Sequence, residues 1–134
     1  MIKRISHIGI AVASLEASGS LFSKLFENPL PIVEHVPRQQ AHIAFYPVGE
    51  SSVELIESMT KDSSVSKFIQ KRGEGIHHIC LEVEGLDQEI QRLTKHGFQF
   101  VTETPTEGGD GFRVVFLHPK STGGVLIELA EKSR

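Results

Sequence analysis

The chain has 134 residues, of which 39% are hydrophobic and 23% are charged, and its formal net charge is −3. This composition is typical of one globular domain with its own core, and the slight excess of acid gives no electrostatic reason to expect a nucleic acid or an anionic membrane as partner. No apolar run approaches the ~18 residues of a membrane span, and a single cysteine cannot form an internal disulfide, so we expect a cytoplasmic protein.

The first predicted strand, HIGIAV at residues 7–12, has two different faces. Because strand side chains alternate, one face carries three larger apolar side chains and the other carries His7 with two small residues. We expect the apolar face to pack on the core and the other face to line a cavity. A helix is predicted to follow, with Ser14 as its N-cap and Asn28-Pro29 at its end.

A second strand and a second helix are predicted next. Ile43 and Phe45 alternate with His42 and Ala44, which indicates a half-buried strand whose polar face carries His42. Apolar residues at helical spacing predict a helix from about Ser63 to Arg72, where the following glycine ends it.

The second half of the chain repeats the first. HICLEV at 78–83 answers HIGIAV at 7–12 with an offset of 71 residues (78 − 7), and the same offset aligns 42–47 with 113–118. Near the end the offset becomes 74 (127 − 53), where IELAE answers VELIE, and the extra residues fall in the loop HPKSTGG at 118–124.

This repeat predicts an α+β fold of two tandem βαβββ modules that form a cupped mixed sheet. We expect a single domain, with module one at about 1–60, a bridging helix at about 62–73 and module two at about 74–134.

Each repeat supplies a histidine on its first strand and a glutamate on its last. Two imidazoles and two carboxylates suit a divalent first-row metal ion with open positions for water or substrate. Ordinary strand residues are the alternative explanation, since the chain contains seven histidines. The candidate ligands are His7, Glu54, His78 and Glu128.

The segments HIGIAV, PVGE with VELIE, KFIQKRGEGIHHICLEV and FLHPKSTGGVLIEL resemble the methylmalonyl-CoA epimerase family of the vicinal oxygen chelate (glyoxalase-fold) superfamily. The resemblance covers nearly the whole chain, implies the paired βαβββ fold and places the metal ligands at the same four positions. It implies one divalent ion per chain, with Co2+ as first choice and Zn2+, Ni2+ or Mn2+ as alternatives, and a homodimer.

The implied reaction is the interconversion of (R)- and (S)-methylmalonyl-CoA. The C2 proton would be removed and returned through an enolate that the metal stabilises. The resemblance suggests Glu128 as ligand and as one base, and His42 aligns with a position where some epimerases carry a glutamate. His42 is therefore a candidate second acid–base group, with a solvated strand histidine as the alternative.

Four further residues are candidates for contacts with an acyl-CoA substrate. Gln39 could hold a substrate oxygen, and Arg113, opposite His42 in the repeat, suits a carboxylate or a CoA phosphate. Lys120 and Ser121 lie in a loop that could meet the nucleotide end of CoA. A surface arginine and a simple tight turn are the structural alternatives. Cys80 is given no catalytic role, because a buried thiol usually contributes packing.

Three other functions compete with the epimerase. A glyoxalase I-type lactoylglutathione lyase would use the same four ligands, so the ligands identify the superfamily better than the reaction. A metal-free small-molecule-binding protein of the same fold would not need the four candidate ligands at equivalent positions of the repeat. An iron-dependent dioxygenase usually uses two histidines and one carboxylate, so the fourth ligand argues against it.

Overall fold

The structure, a computed structural model, describes residues 1–108 and 111–133. Its elements are, in chain order, β1 (Ile2–Val12), α1 (Leu15–Leu25), β2 (Ile32–Val36), a 3-10 turn (Pro37–Gln39), β3 (Ala41–Val48), β4 (Ser51–Ser58), α2 (Ser64–Arg72), β5 (Gly75–Val83), α3 (Leu86–Lys95), β6 (Thr106–Glu107), β7 (Phe112–Leu117), a second 3-10 turn (Pro119–Thr122) and β8 (Ile127–Lys132). None of the helices described is long and apolar enough to cross a membrane.

The predicted helices are confirmed, and serine side chains cap two of them. Ser14 accepts a hydrogen bond from the backbone N–H of Ala17 before α1, and Ser63 accepts one from Ser66 before α2. These hydroxyls satisfy donors that the first turn of a helix leaves without a partner.

The chain divides into two compact units, the N-terminal unit (residues 7–77) and the C-terminal unit (residues 1–6 and 78–134).

In the N-terminal unit the strands follow the order β2-β3-β4-β1, with β1 parallel to β4 and the other pairs antiparallel. Both faces of this sheet are covered. Val12, Ala44, Tyr46 and Leu55 pack with residues of α1 on one face. Ala11, Ala41, Ile43 and Ile56 pack with Val65, Phe68 and Ile69 of α2 on the other. We refer to these two faces of the sheet as the α1 face and the α2 face.

In the C-terminal unit the order is β1-β5-β8-β7-β6, with β5 parallel to β8 and β8 antiparallel to β7. Leu86 and Leu93 of α3 pack on Val83, Val115, Leu117 and Leu129, which form the α3 face of the sheet. The opposite face carries Cys80, Val114 and Ala130 with Phe112 packed against them. Alternation along each strand separates the two sets of side chains.

The strand registers confirm the repeat. Gly9 pairs with Glu54 between β1 and β4, and Cys80 pairs with Glu128 between β5 and β8. These pairs are related by the two offsets in the sequence, since 9 + 71 = 80 and 54 + 74 = 128. On the other side of β4 and β8, phenylalanines 71 residues apart oppose the same two glutamates. The α+β class with two βαβββ modules is therefore confirmed.

Candidate active site

The N-terminal unit brings His7 and Glu54 together. Because Gly9 lies opposite Glu54 on adjacent parallel strands, His7 is the diagonal neighbour of that carboxylate on the same face. The Nδ1 atom of His7 lies 3.2 Å from Oε2 of Glu54, and the two side chains are 18% and 12% exposed. Strand geometry alone thus places an imidazole nitrogen and a carboxylate oxygen side by side in a mostly buried position.

The C-terminal unit repeats this arrangement with His78 and Glu128. Cys80 lies opposite Glu128, so His78 again occupies the diagonal position, and its Nε2 atom lies 3.5 Å from Oε1 of Glu128. The two side chains are 9% and 10% exposed. The ring of Phe116 meets the His78 ring edge to face at 6.0 Å between centroids, a favourable arrangement for aromatic rings.

The donor atoms of each pair fit a divalent metal ion. Buried imidazoles and carboxylates are costly unless they are paired or coordinate a cation. Nitrogen from histidine and oxygen from glutamate are ligands that zinc, cobalt, nickel and manganese all accept. Each unit therefore contributes one nitrogen and one oxygen donor from equivalent positions of the repeat.

Cys80 lies beside the second pair. Its side chain is 1% exposed, and its Cα is the partner of Glu128 across β5 and β8. The corresponding residue in the first repeat is Gly9, so the cysteine distinguishes the second His–Glu pair from the first.

His42 and Arg113 lie on the faces of their strands opposite to those that carry Glu54 and Glu128. The sequence predicts a half-buried strand whose polar face carries His42. In the structure Phe45 opposes Glu54 directly, so it shares the α2 face with that glutamate, and His42, three residues away, lies on the α1 face. In the second repeat Phe116 opposes Glu128, which places Arg113 on the α3 face, away from the His78–Glu128 pair.

Both residues have neighbours on those faces. The His42 ring contacts the His35 ring at 4.8 Å between centroids. Arg113 forms ion pairs with Asp87 at 3.0 Å and with Glu131 at 3.7 Å, which ties β7 to the first turn of α3. These placements give no structural support to His42 as an acid–base group or to Arg113 as a substrate contact.

The other predicted substrate contacts lie in turns. Gln39 is exposed at the end of the first 3-10 turn. Lys120 is exposed in the second turn, where its backbone N–H donates to Nδ1 of His118. The Ser121 hydroxyl accepts a hydrogen bond from the Gln99 backbone N–H at 2.9 Å, so it helps to hold the loop.

Sequence reasoning missed the two phenylalanines that oppose the site glutamates. The sequence predicts for Phe45 only a place in a half-buried strand, and the 71-residue offset relates Phe116 to it. Their position beside Glu54 and Glu128 became evident only from the registers of β3 with β4 and β7 with β8.

Comparison with known proteins identifies the class to which this fold and these His–Glu pairs belong. Residues 6–116 match the Glyoxalase/Bleomycin resistance protein/Dioxygenase superfamily, and the chain belongs to this superfamily. Among its relatives is the mitochondrial methylmalonyl-CoA epimerase of Homo sapiens, 32% identical over 129 residues that cover 96% of this chain and 73% of the relative.

Two further similarities extend over almost the whole length. A Bacillus subtilis protein of uncharacterised function, YqjC, is 35% identical over 97% of this chain and 93% of its own. A solved methylmalonyl-CoA epimerase in complex with methylmalonyl-CoA and NH4+ has a TM-score of 0.88 at 31% identity, covering 98% of this chain and 96% of that one. The resemblance to methylmalonyl-CoA epimerases is confirmed.

Proposed function

We propose that the chain interconverts (R)- and (S)-methylmalonyl-CoA by removing the C2 proton and returning it to the opposite side. It is an enzyme of the epimerase type. Its similarity to methylmalonyl-CoA epimerases over nearly the whole chain supports this function over that of a glyoxalase I-type lyase or a metal-free binding protein. The observation that carries the proposal is the buried His–Glu pair that recurs in the same strand register in both units.

The chemistry explains why such pairs are useful. The C2 proton lies between a thioester and a carboxylate, and the charge of that carboxylate opposes formation of a carbanion beside it. A divalent ion, when bound, would supply positive charge to the thioester and carboxylate oxygens and hold the substrate in one orientation. We propose that His7, Glu54, His78 and Glu128 hold this ion, with Co2+ first and Zn2+, Ni2+ or Mn2+ as alternatives.

Glu128 is the proposed base at C2. Its carboxylate is largely buried and lies 3.5 Å from the His78 ring, which restricts the positions that it can adopt. A positioned carboxylate contributes a rate factor of roughly 10² to 10⁴ to proton transfer. We assign no acid–base role to His42, the candidate from the sequence, because it lies on the α1 face.

Other parts of the proposal concern the surroundings of the reaction. We infer a single-domain homodimer in the cytoplasm with an acyl-CoA as its small-molecule partner. Similarity to epimerases supports the acyl-CoA, and the lone cysteine, Cys80, is compatible with a reducing compartment. Light scattering coupled to gel filtration tests the dimer directly.

Solvent exchange at C2 is the test of the function. Methylmalonyl-CoA incubated with protein in D2O should lose the C2 proton signal in its NMR spectrum. The rate should fall when metal is removed by a chelator and return when Co2+ is restored. Consumption of the glutathione–methylglyoxal adduct without any C2 exchange would favour the lyase and contradict the proposal.

A further inference from the structure

Helix α2 is the one strongly basic helix among those that the structure describes. Its nine residues, Ser64–Arg72, include three cationic side chains and no acidic residue, although the chain as a whole has a net charge of −3. In α1 and α3, by contrast, acidic and basic residues balance. The cationic residues of α2 are Lys67, Lys71 and Arg72, and all three are exposed.

The position of α2 connects this charge with the proposed active site. Its apolar residues pack on Ile56 and Ala11, which lie on the same face of the N-terminal unit as Glu54 and His7. Ile56 is two residues beyond Glu54 on β4, a distance of about 7 Å along a strand. The basic helix therefore borders the carboxylate of the first pair, on the face that carries it.

Arg72 is also held in place. Its guanidinium carbon lies 5.7 Å from the centroid of the Phe68 ring, within the range of a cation–π contact. The Phe68 ring in turn meets the ring of His77 edge to face at 5.3 Å. A guanidinium restrained in this way loses less side-chain entropy when it binds an anion.

We propose that the cationic surface of α2, formed by Lys67, Lys71 and Arg72, binds the phosphates at the nucleotide end of the acyl-CoA substrate. The inference rests on the proposed function, since it assumes an acyl-CoA thioester at the adjacent His–Glu pair. A CoA thioester carries its negative phosphates at the end of a long, uncharged pantetheine arm. The reactive carbon and the phosphates therefore need separate binding sites, and the site for the phosphates must be cationic.

Helix stability alone explains only part of this charge. Lys71 and Arg72 lie in the last turn, where cations interact favourably with the helix dipole. Lys67 lies in the middle of the helix, where the dipole gives no preference for a cation. The loop with Lys120 is a second location for the nucleotide, and its charge is tested separately below.

The test compares two double variants that each remove two positive charges. Lys67→Gln with Lys71→Gln is expected to raise the Kd for CoA, measured by calorimetry, and the KM for methylmalonyl-CoA about tenfold. The kcat for C2 exchange should not change, and neither should kcat/KM for methylmalonyl-pantetheine, which lacks the nucleotide. The matched control is Lys24→Gln with Lys95→Gln, which alters exposed lysines of α1 and α3 and should leave all these values unchanged.

Each alternative has its own result. An unchanged Kd for CoA in the α2 variant overturns the inference, whether or not its thermal stability falls. A raised Kd in Lys120→Gln together with an unchanged Kd in the α2 variant assigns the phosphates to the loop instead. Absence of C2 exchange in the wild type contradicts the proposed function, and calorimetry with CoA still decides the binding surface.

Discussion

At the scale of single residues, the proposed chemistry depends on carboxylates held beside imidazoles in buried positions. Glu54 and Glu128 are each about nine-tenths buried, and each lies within 3.5 Å of a histidine nitrogen of its own unit. Removing one of these buried negative charges leaves the positive groups that it would pair with uncompensated. Substitutions at these positions should therefore affect both metal binding and proton transfer.

Glu128→Gln keeps the size of the side chain and removes both the charge and the proton acceptor. We expect C2 exchange to slow by roughly 10²- to 10⁴-fold, with weaker binding of Co2+ measured by titration. Glu103→Gln, at an exposed loop position, is the matched control and should behave as the wild type. Full exchange activity in Glu128→Gln would remove this carboxylate from the mechanism.

His42→Ala decides between the role suggested by the sequence and the position in the structure. Because His42 lies on the α1 face beside His35, we expect C2 exchange to persist in this variant. A large loss of exchange in a variant with unchanged circular dichroism would mean that the imidazole does act at C2.

The sequence predicts one histidine and one glutamate in each repeat, and the structure places them side by side, but the sequence does not indicate which face of β3 lies beside Glu54, for a physical reason. Repetition at fixed offsets identifies equivalent residues but does not show on which face of the sheet their side chains lie. Direction in β3 is ambiguous, because α1 covers Ala44 and Tyr46 while α2 covers Ile43. When both faces of a strand are covered by helices, alternation cannot tell which face carries the site.

At the scale of elements, a second pair of glutamates connects the site strands to the helices. Glu57 and Glu131 each lie three residues after a site glutamate. The Glu57 carboxylate accepts a hydrogen bond from the Leu15 backbone N–H at 2.9 Å, and the Glu131 carboxylate accepts one from Gly85. A carboxylate at a helix N-terminus satisfies a backbone donor and interacts favourably with the dipole.

Glu57→Gln should therefore destabilise the fold without removing a ligand. We expect the free energy of unfolding in urea to fall by about 1 kcal/mol, while the affinity for Co2+ stays as in the wild type. Glu131→Gln should behave in the same way, since it is the equivalent residue of the second repeat. Unchanged stability in both variants would show that these hydrogen bonds contribute nothing measurable.

Glu89 in the first turn of α3 makes part of the stability dependent on pH. The hydrogen bond from Arg92, at 2.8 Å, and the interaction with the Met1 amino group lower the pKa of the Glu89 carboxyl below its ordinary value of 4.5. A carboxyl with a lower pKa in the folded state stabilises the protein above its unfolded pKa, and this contribution is lost as the pH falls through the folded value.

The measurement is the free energy of unfolding from neutral pH to well below pH 4.5, in wild type and in Glu89→Gln. Stability of the wild type should decline more steeply in the acidic part of this range than that of the variant. Parallel pH profiles would mean that Glu89 has the same pKa in the folded and unfolded states.

At the scale of the whole molecule, the two units differ from the modules predicted from the sequence in two respects. Residues 74–77, predicted to belong to module two, lie in the N-terminal unit together with the bridging helix. Residues 1–6 belong to the C-terminal unit, where the Met1 amino group donates to the Glu84 backbone oxygen at 2.7 Å and Arg4 pairs with Glu82. The offset of 71 residues reveals the repeat, but it does not show that the start of the first strand belongs with the second repeat. Such pairing does not change which residues of the sequence correspond to each other.

Metal stoichiometry tests most directly whether the two His–Glu pairs act together. Metal-free protein titrated with Co2+ should bind about one ion per chain if the proposal holds, and both His7→Ala and His78→Ala should lose most of that binding, since each removes one of the proposed nitrogen donors. Two ions per chain, with each variant losing only one of them, would show that the pairs work independently and would contradict the proposed reaction site.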